Sequence, residues 1–204
     1  MRKSIILQAL CLFFVLPCVA QSKADILRDF LSYYPEWERN QIADSIFARA
    51  DGNIPTDVLL KIVPFRANDD NEKENQDSLA LDDGVAWMKG GYRITTPRYI
   101  AVFALRSSDC NNQLVSDYKL YTFTKDGNLI DSLTCGRYTQ PMGETNEPEY
   151  KFHIMSSESR SSFKAAQYVC KGQDSLEKKG DDSWNAVNYR VAIRKNGKIF
   201  KSRL

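Results

Sequence analysis

Apolar residues take three different spacings along this chain, and each predicts a different kind of element. Between Ile5 and Leu16 they are nearly continuous, following Arg2 and Lys3 and preceding Pro17-Cys18-Val19-Ala20. A charged start, a short apolar stretch and small residues at its end have the layout of a secretory signal peptide, cleaved here after Ala20. The run is shorter than the roughly 20 apolar residues that cross a bilayer, and no later stretch is long or apolar enough, so the mature chain is expected to have no transmembrane segment. Cys18 could accept lipid in a lipoprotein signal, but Pro17 stands where Gly, Ala or Ser usually precedes such a cysteine, which disfavours lipid anchoring. The expected location is periplasmic or secreted.

From residue 21 to 65 the spacing is helical. Ile26, Leu27, Phe30, Leu31 and Tyr34 line one face of a first helix that Pro35 ends. Trp37, Ile42, Ile46 and Phe47 predict a second from Glu36 to Ala50, stopped by Asp51-Gly52-Asn53. A third would begin near Pro55 and carry Val58, Leu59, Ile62 and Val63. Residues 66–83 are polar and acidic and read as a solvated loop. Asp69, Asp70, Glu72, Glu74 and Asp77 crowd there, without the residue order and closing glutamate that wrap calcium in an EF-hand loop.

From residue 84 to 204 the pattern is β. Tyr99 to Leu105 has no polar face and predicts a strand buried on both sides. Tyr118–Phe123 and Leu129–Leu133 flank Lys125-Asp126-Gly127-Asn128, and Tyr189–Ile193 and Ile199–Lys201 flank Lys195-Asn196-Gly197-Lys198, giving two glycine hairpins. Tyr150–Met155 and Phe163–Val169 form a further pair around a serine-rich turn. The predicted fold class is α+β: N-terminal helices packed on an antiparallel β-meander of about six to eight strands, with residues 21–204 as one domain.

The run Tyr118-Lys-Leu-Tyr-Thr-Phe-Thr-Lys-Asp-Gly-Asn-Leu-Ile-Asp-Ser-Leu, with Gly91-Tyr92-Arg93-Ile94 before it and the Tyr189 to Lys201 hairpin after it, resembles a family of uncharacterised secreted or lipid-anchored bacterial proteins. The likeness covers the last half of the chain. It implies export and the α+β architecture, and it brings no catalytic residue with it.

Charge and cysteine content narrow the chemistry. Removing residues 1–20, which carry Arg2 and Lys3 and no carboxylate, takes the formal +2 to zero, so no general nucleic-acid surface is expected. Of five cysteines, Cys110, Cys135 and Cys170 remain in the mature chain, enough for one disulfide and a leftover thiol, with the pairing open. A Cys3His zinc site with His153 would lack any two ligands at zinc spacing, so no metal and no cofactor are expected. His153, the single histidine, falls on the strand face opposite Phe152 and Ile154, where it reads as solvent-facing rather than as a base for Cys135. Gly90-Gly91 lacks the third glycine of a nucleotide fingerprint.

What remains is recognition. Trp184, in Gly180-Asp181-Asp182-Ser183-Trp184-Asn185, stands in a polar stretch that cannot easily bury it, and with Asp181 and Asp182 it is the candidate binding site. The expected function is that of an exported envelope module, non-catalytic, binding a protein or a glycan. Two rivals differ in what they need. A glycan hydrolase needs two carboxyls within about 5 to 10 Å of each other, and an assembly subunit needs a long open edge strand.

Overall fold

A computed structural model describes residues 22–55, 58, 87–110, 112–143, 148–170 and 184–204. Among them are one α-helix, α1 (Lys23–Leu31), and eight strands: β1 (Trp87–Thr95), β2 (Ile100–Cys110), β3 (Gln113–Phe123), β4 (Leu129–Pro141), β5 (Glu149–Ser159), β6 (Ser162–Cys170), β7 (Trp184–Ile193) and β8 (Ile199–Arg203). All neighbours pair antiparallel, but the meander divides after β4 into two sheets, β1-β2-β3-β4 and β5-β6-β7-β8. The expected α+β arrangement of helices on a single meander is therefore corrected: the protein is a two-sheet antiparallel structure with one helix among the described residues.

The division follows from what β2 must bury. Ala101 and Phe103 point to one side, Ile100, Val102 and Ala104 to the other, and all five are buried. A strand apolar on both faces needs a cover on each. On one side, Leu27 and Phe30 of α1, with Tyr34, pack on Ile100, Val102, Ala104, Tyr121 and Phe123. On the other, the second sheet contributes Phe152, Ile154, Phe163, Ala165, Tyr189, Val191 and Ile193 to a core shared with Phe103, Leu120 and Cys135.

The second predicted helix does not form. Residues 35–54 run as an irregular strap whose only helical turn is the short 3-10 stretch Asp44–Ile46. Apart from the local turn bonds from Ile46 to Ala43, Phe47 to Asp44 and Gly52 to Arg49, its backbone groups bond to the edge of β1. The Trp37 N–H donates to the Arg93 carbonyl at 2.8 Å, Arg93 N–H to the Pro35 carbonyl at 3.0 Å, Gly90 N–H to the Gly52 carbonyl at 2.6 Å, and Ile54 N–H to the Met88 carbonyl at 3.2 Å. Helix propensity is a weak preference, and an unpaired sheet edge outbids it. The apolar side chains drop into the core one by one, with Phe47 edge-on to Phe103, Tyr118 and Phe152 at ring-centroid distances of 5.3, 5.2 and 5.9 Å. The third predicted helix lies outside the described residues except for Pro55 and Val58, and the signal peptide and the acidic stretch 66–83 lie wholly outside them.

The strap also reaches the second sheet. Asp44 accepts the Ile154 N–H of β5 at 2.7 Å through one oxygen and meets His153 Nδ1 at 2.7 Å through the other. Glu36 accepts the Thr95 N–H at 2.7 Å and the Thr95 hydroxyl at 2.8 Å, and lies 3.4 Å from both Arg93 and Arg160. It thus ties the strap to β1 and to the β5–β6 turn. On the far side, the edge of β4 is sealed by side chains from β7 and β8: the Tyr189 hydroxyl and Lys201 Nζ both donate to the Cys135 carbonyl, and Lys198 Nζ to the Ile130 carbonyl at 3.0 Å.

Both glycine turns form as their sequence requires, with Gly127 at φ +86° and Gly197 at φ +84°. They connect β3 to β4 and β7 to β8.

Candidate functional site

Strand alternation decides which side chains reach solvent on the second sheet. Tyr189, Val191 and Ile193 of β7 are buried in the core, so Trp184, Ala186, Asn188 and Arg190 point outward. The register then builds three rows on the outer face. Trp184 lies beside Cys170 and Glu149, Ala186 beside Tyr168 and Lys151, and Asn188 beside Ala166 and His153. A further pair, Arg190 beside Lys164, completes the face toward the β5–β6 turn.

Trp184 is therefore the first residue of β7 rather than part of a loop, and it is half-buried. Lys151 reaches diagonally across β6 and places its ammonium 4.1 Å from the indole centroid, a cation–π contact. Lys151 has no ion-pair partner among the described residues. At the other end of the face Glu158 takes two hydrogen bonds from Arg190, accepts the Ser162 hydroxyl at 3.0 Å and lies 3.7 Å from Lys164. The bond from Arg190 foremost, with that from Ser162, holds its carboxyl below the usual glutamate range, against an opposing effect of burial.

His153 points outward with Lys151 and Met155, opposite the buried Phe152 and Ile154, and its side chain is 61% exposed. Its partner is Asp44 of the strap, not Cys135. Cys135 lies on the inner side as a free, fully buried thiol, pushed up to about 12 by burial although Lys201 and Lys119 pull it down. That environment suppresses the thiolate a nucleophile needs. Beside it Tyr189 is raised by burial and by the Cys135 thiol, and Lys201 is lowered by burial.

Of the other candidates, Cys170 is half-buried at the end of β6, next to Trp184, and Cys110 ends β2. Asp181 and Asp182 lie outside the described residues. Lys151, Tyr168 and Arg190 are the members of this face that residue-by-residue reading of the sequence missed. The alternation along β6 and β7 was the signal that could have found them. Among the described residues no group of three or more His, Cys, Asp or Glu side chains could hold a metal, and no helix is long and apolar enough to cross a membrane. No family model, no curated protein and no solved structure matches the chain.

Proposed function

We propose that this chain is an exported envelope protein that works by recognition, binding a protein or glycan through the outer face of its second sheet without catalysis. The observation that carries this reading is Trp184, a large aromatic side chain on a sheet face whose neighbours Lys151, Ala186, Asn188 and Arg190 are exposed. Flat amphipathic rings held on rigid strands make contact area at low entropic cost. Two carboxylates around this face are already engaged, Glu158 by Arg190 and Asp44 by β5, which favours binding over a hydrolytic pair; Glu149 stands in the row of Trp184. The assembly reading loses one edge, that of β1, which the strap covers; β5 and β8 are the outer strands of the second sheet.

The test is capture from envelope extract and on a glycan array, with Trp184→Ala run beside the unaltered chain and both confirmed folded by near-ultraviolet circular dichroism. Support is a defined partner or glycan retained by the first and lost by the variant. Retention that survives the substitution, or none in either arm, rejects the reading.

A further inference from the structure

A net charge near zero conceals an uneven distribution. Residues 189–204, which form the β7–β8 hairpin, carry six Lys and Arg side chains and no Asp or Glu. Arg190 is paired with Glu158. Of the other five, Arg194, Lys195, Lys198 and Arg203 are exposed to solvent, and Lys201 turns its ammonium to the Cys135 carbonyl of β4 at 3.1 Å. None of the five lies within ion-pair distance of a carboxylate among the described residues. Asp131 reaches this strand from β4 and accepts the Ile199 N–H at 2.9 Å. Because β8 is an outer strand of its sheet, side chains from both of its faces flank one side of the molecule. Lys201 and Arg203 pair with the buried Val191 and Tyr189 and so lie toward the inner side of the rim. Phe200 pairs with Ala192 on the outer side, where Leu204 follows. Phe200 is 43% exposed and Leu204 60%, although the Arg194 guanidinium stands 5.1 Å from the Phe200 ring centroid.

We infer that the β7–β8 hairpin docks on an anionic phospholipid membrane, with its cations among the phosphates and Phe200 and Leu204 at the boundary of the acyl chains. Charge complementarity selects an anionic partner, since the hairpin offers cations that the fold leaves without carboxylates. The two exposed apolar side chains select lipid among anions. A soluble polyanion would engage the cations and leave Phe200 and Leu204 in water, whereas a headgroup layer takes the charges and the layer beneath it takes the apolar groups. Contact of this kind lies on the membrane without crossing it, and it weakens as salt screens the cations. The surface is separate from the one built around Trp184. β7 begins at Trp184 and ends beside the hairpin turn, a distance of roughly 30 Å at the rise of a strand.

The test is co-sedimentation of the full chain, expressed with its own residues 1–20 and purified as the cell exports it, with vesicles of mixed phosphatidylglycerol and phosphatidylcholine and with vesicles of phosphatidylcholine alone. The expected result is retention by the anionic vesicles only, falling with added salt. Each cation near the surface contributes roughly fivefold in affinity, so Lys195→Gln combined with Arg203→Gln should weaken retention about twenty-five-fold. Phe200→Ser should weaken it about tenfold, and Trp184→Ala should leave it unchanged. No retention by anionic vesicles, or equal retention by neutral ones, overturns the inference, as does an unaltered affinity in the double variant. Binding to soluble polyphosphate without binding to vesicles rejects the membrane as the partner. Loss of vesicle binding in Trp184→Ala would overturn the assignment to the hairpin, while failure of the vesicle arms leaves the reading of the Trp184 face to its own capture experiment.

Discussion

Replacing Phe47 with alanine tests whether the strap is part of the core or a dressing on it. Phe47 is fully buried, and its ring meets those of Phe103, Tyr118 and Phe152 at interplanar angles of 85°, 89° and 88°. Loss of a buried phenylalanine costs about 3–5 kcal/mol in transfer and cavity energy. Edge-to-face contacts are worth about 0.5–1.5 kcal/mol each beyond area, which argues for the upper half of that range. Against a typical total of about 5–15 kcal/mol this is a large fraction. Urea unfolding followed by tryptophan fluorescence should show one transition with a much lower midpoint, since Trp37 of the strap and the sheets unfold together. Phe47→Leu, which keeps most of the volume and none of the ring edges, should fall between the two. A loss below about 1.5 kcal/mol for the alanine variant, or a separate early transition with the main one unchanged, would refute the argument.

Gly91→Ala should destabilise by about 1–3 kcal/mol or more, because an added Cβ would lie 2.0 Å from the Ile46 carbonyl oxygen and 2.5 Å from the Phe47 carbonyl carbon, both backbone; a thermal midpoint equal to the unaltered chain's would contradict the close approach of strap and β1. Cys135 should resist a thiol reagent at neutral pH in the native state and react once urea unfolds the chain, and peptide mapping that found it labelled rapidly under native conditions would count against its burial. Glu36 is subject to burial that raises its pKa, but the Thr95 N–H, the Thr95 hydroxyl and Arg93 outweigh it and leave the folded-state value lowered from 4.5. A depressed carboxylate contributes stability above the unfolded value that is lost as pH falls through the folded one, so Glu36→Gln should flatten the decline in melting temperature between about pH 6 and pH 3; an unchanged slope would show that Glu36 is not among the groups responsible.

The parts of this fold legible in the sequence are those that local chemistry decides. Lys125-Asp126-Gly127-Asn128 and Lys195-Asn196-Gly197-Lys198 form turns because only glycine takes a positive φ there without strain, and their flanking strands follow. Likewise Phe152 and Ile154 going inward and His153 outward is the period of a strand. The strap was not legible. Trp37, Ile42, Ile46 and Phe47 are spaced as a helix would space them, and what overrules the helix is β1, some forty residues further on, offering the Arg93 and Gly90 carbonyls as partners. Nor was the division into two sheets read, although Tyr99 to Leu105, apolar on both sides, already required two covers and one short helix can supply only one.

The same distinction explains why the outer face of the second sheet was only half visible. Trp184 stands out by residue type alone, but the sequence places it in a loop where the structure has the start of β7. Lys151 acquires its meaning only from register: it pairs with Tyr168, which pairs with Ala186, two residues from Trp184 on β7. A lysine in an alternating strand is ordinarily a solvated charge, and nothing in Tyr150-Lys-Phe-His-Ile-Met marks it as more. Two strands of correct register bring its ammonium to the indole, a contact that neither residue's sequence neighbours announce. Sites of this kind are assembled across strands rather than within a motif, so the register of β5, β6 and β7 is the part of the fold on which the proposed function depends most directly.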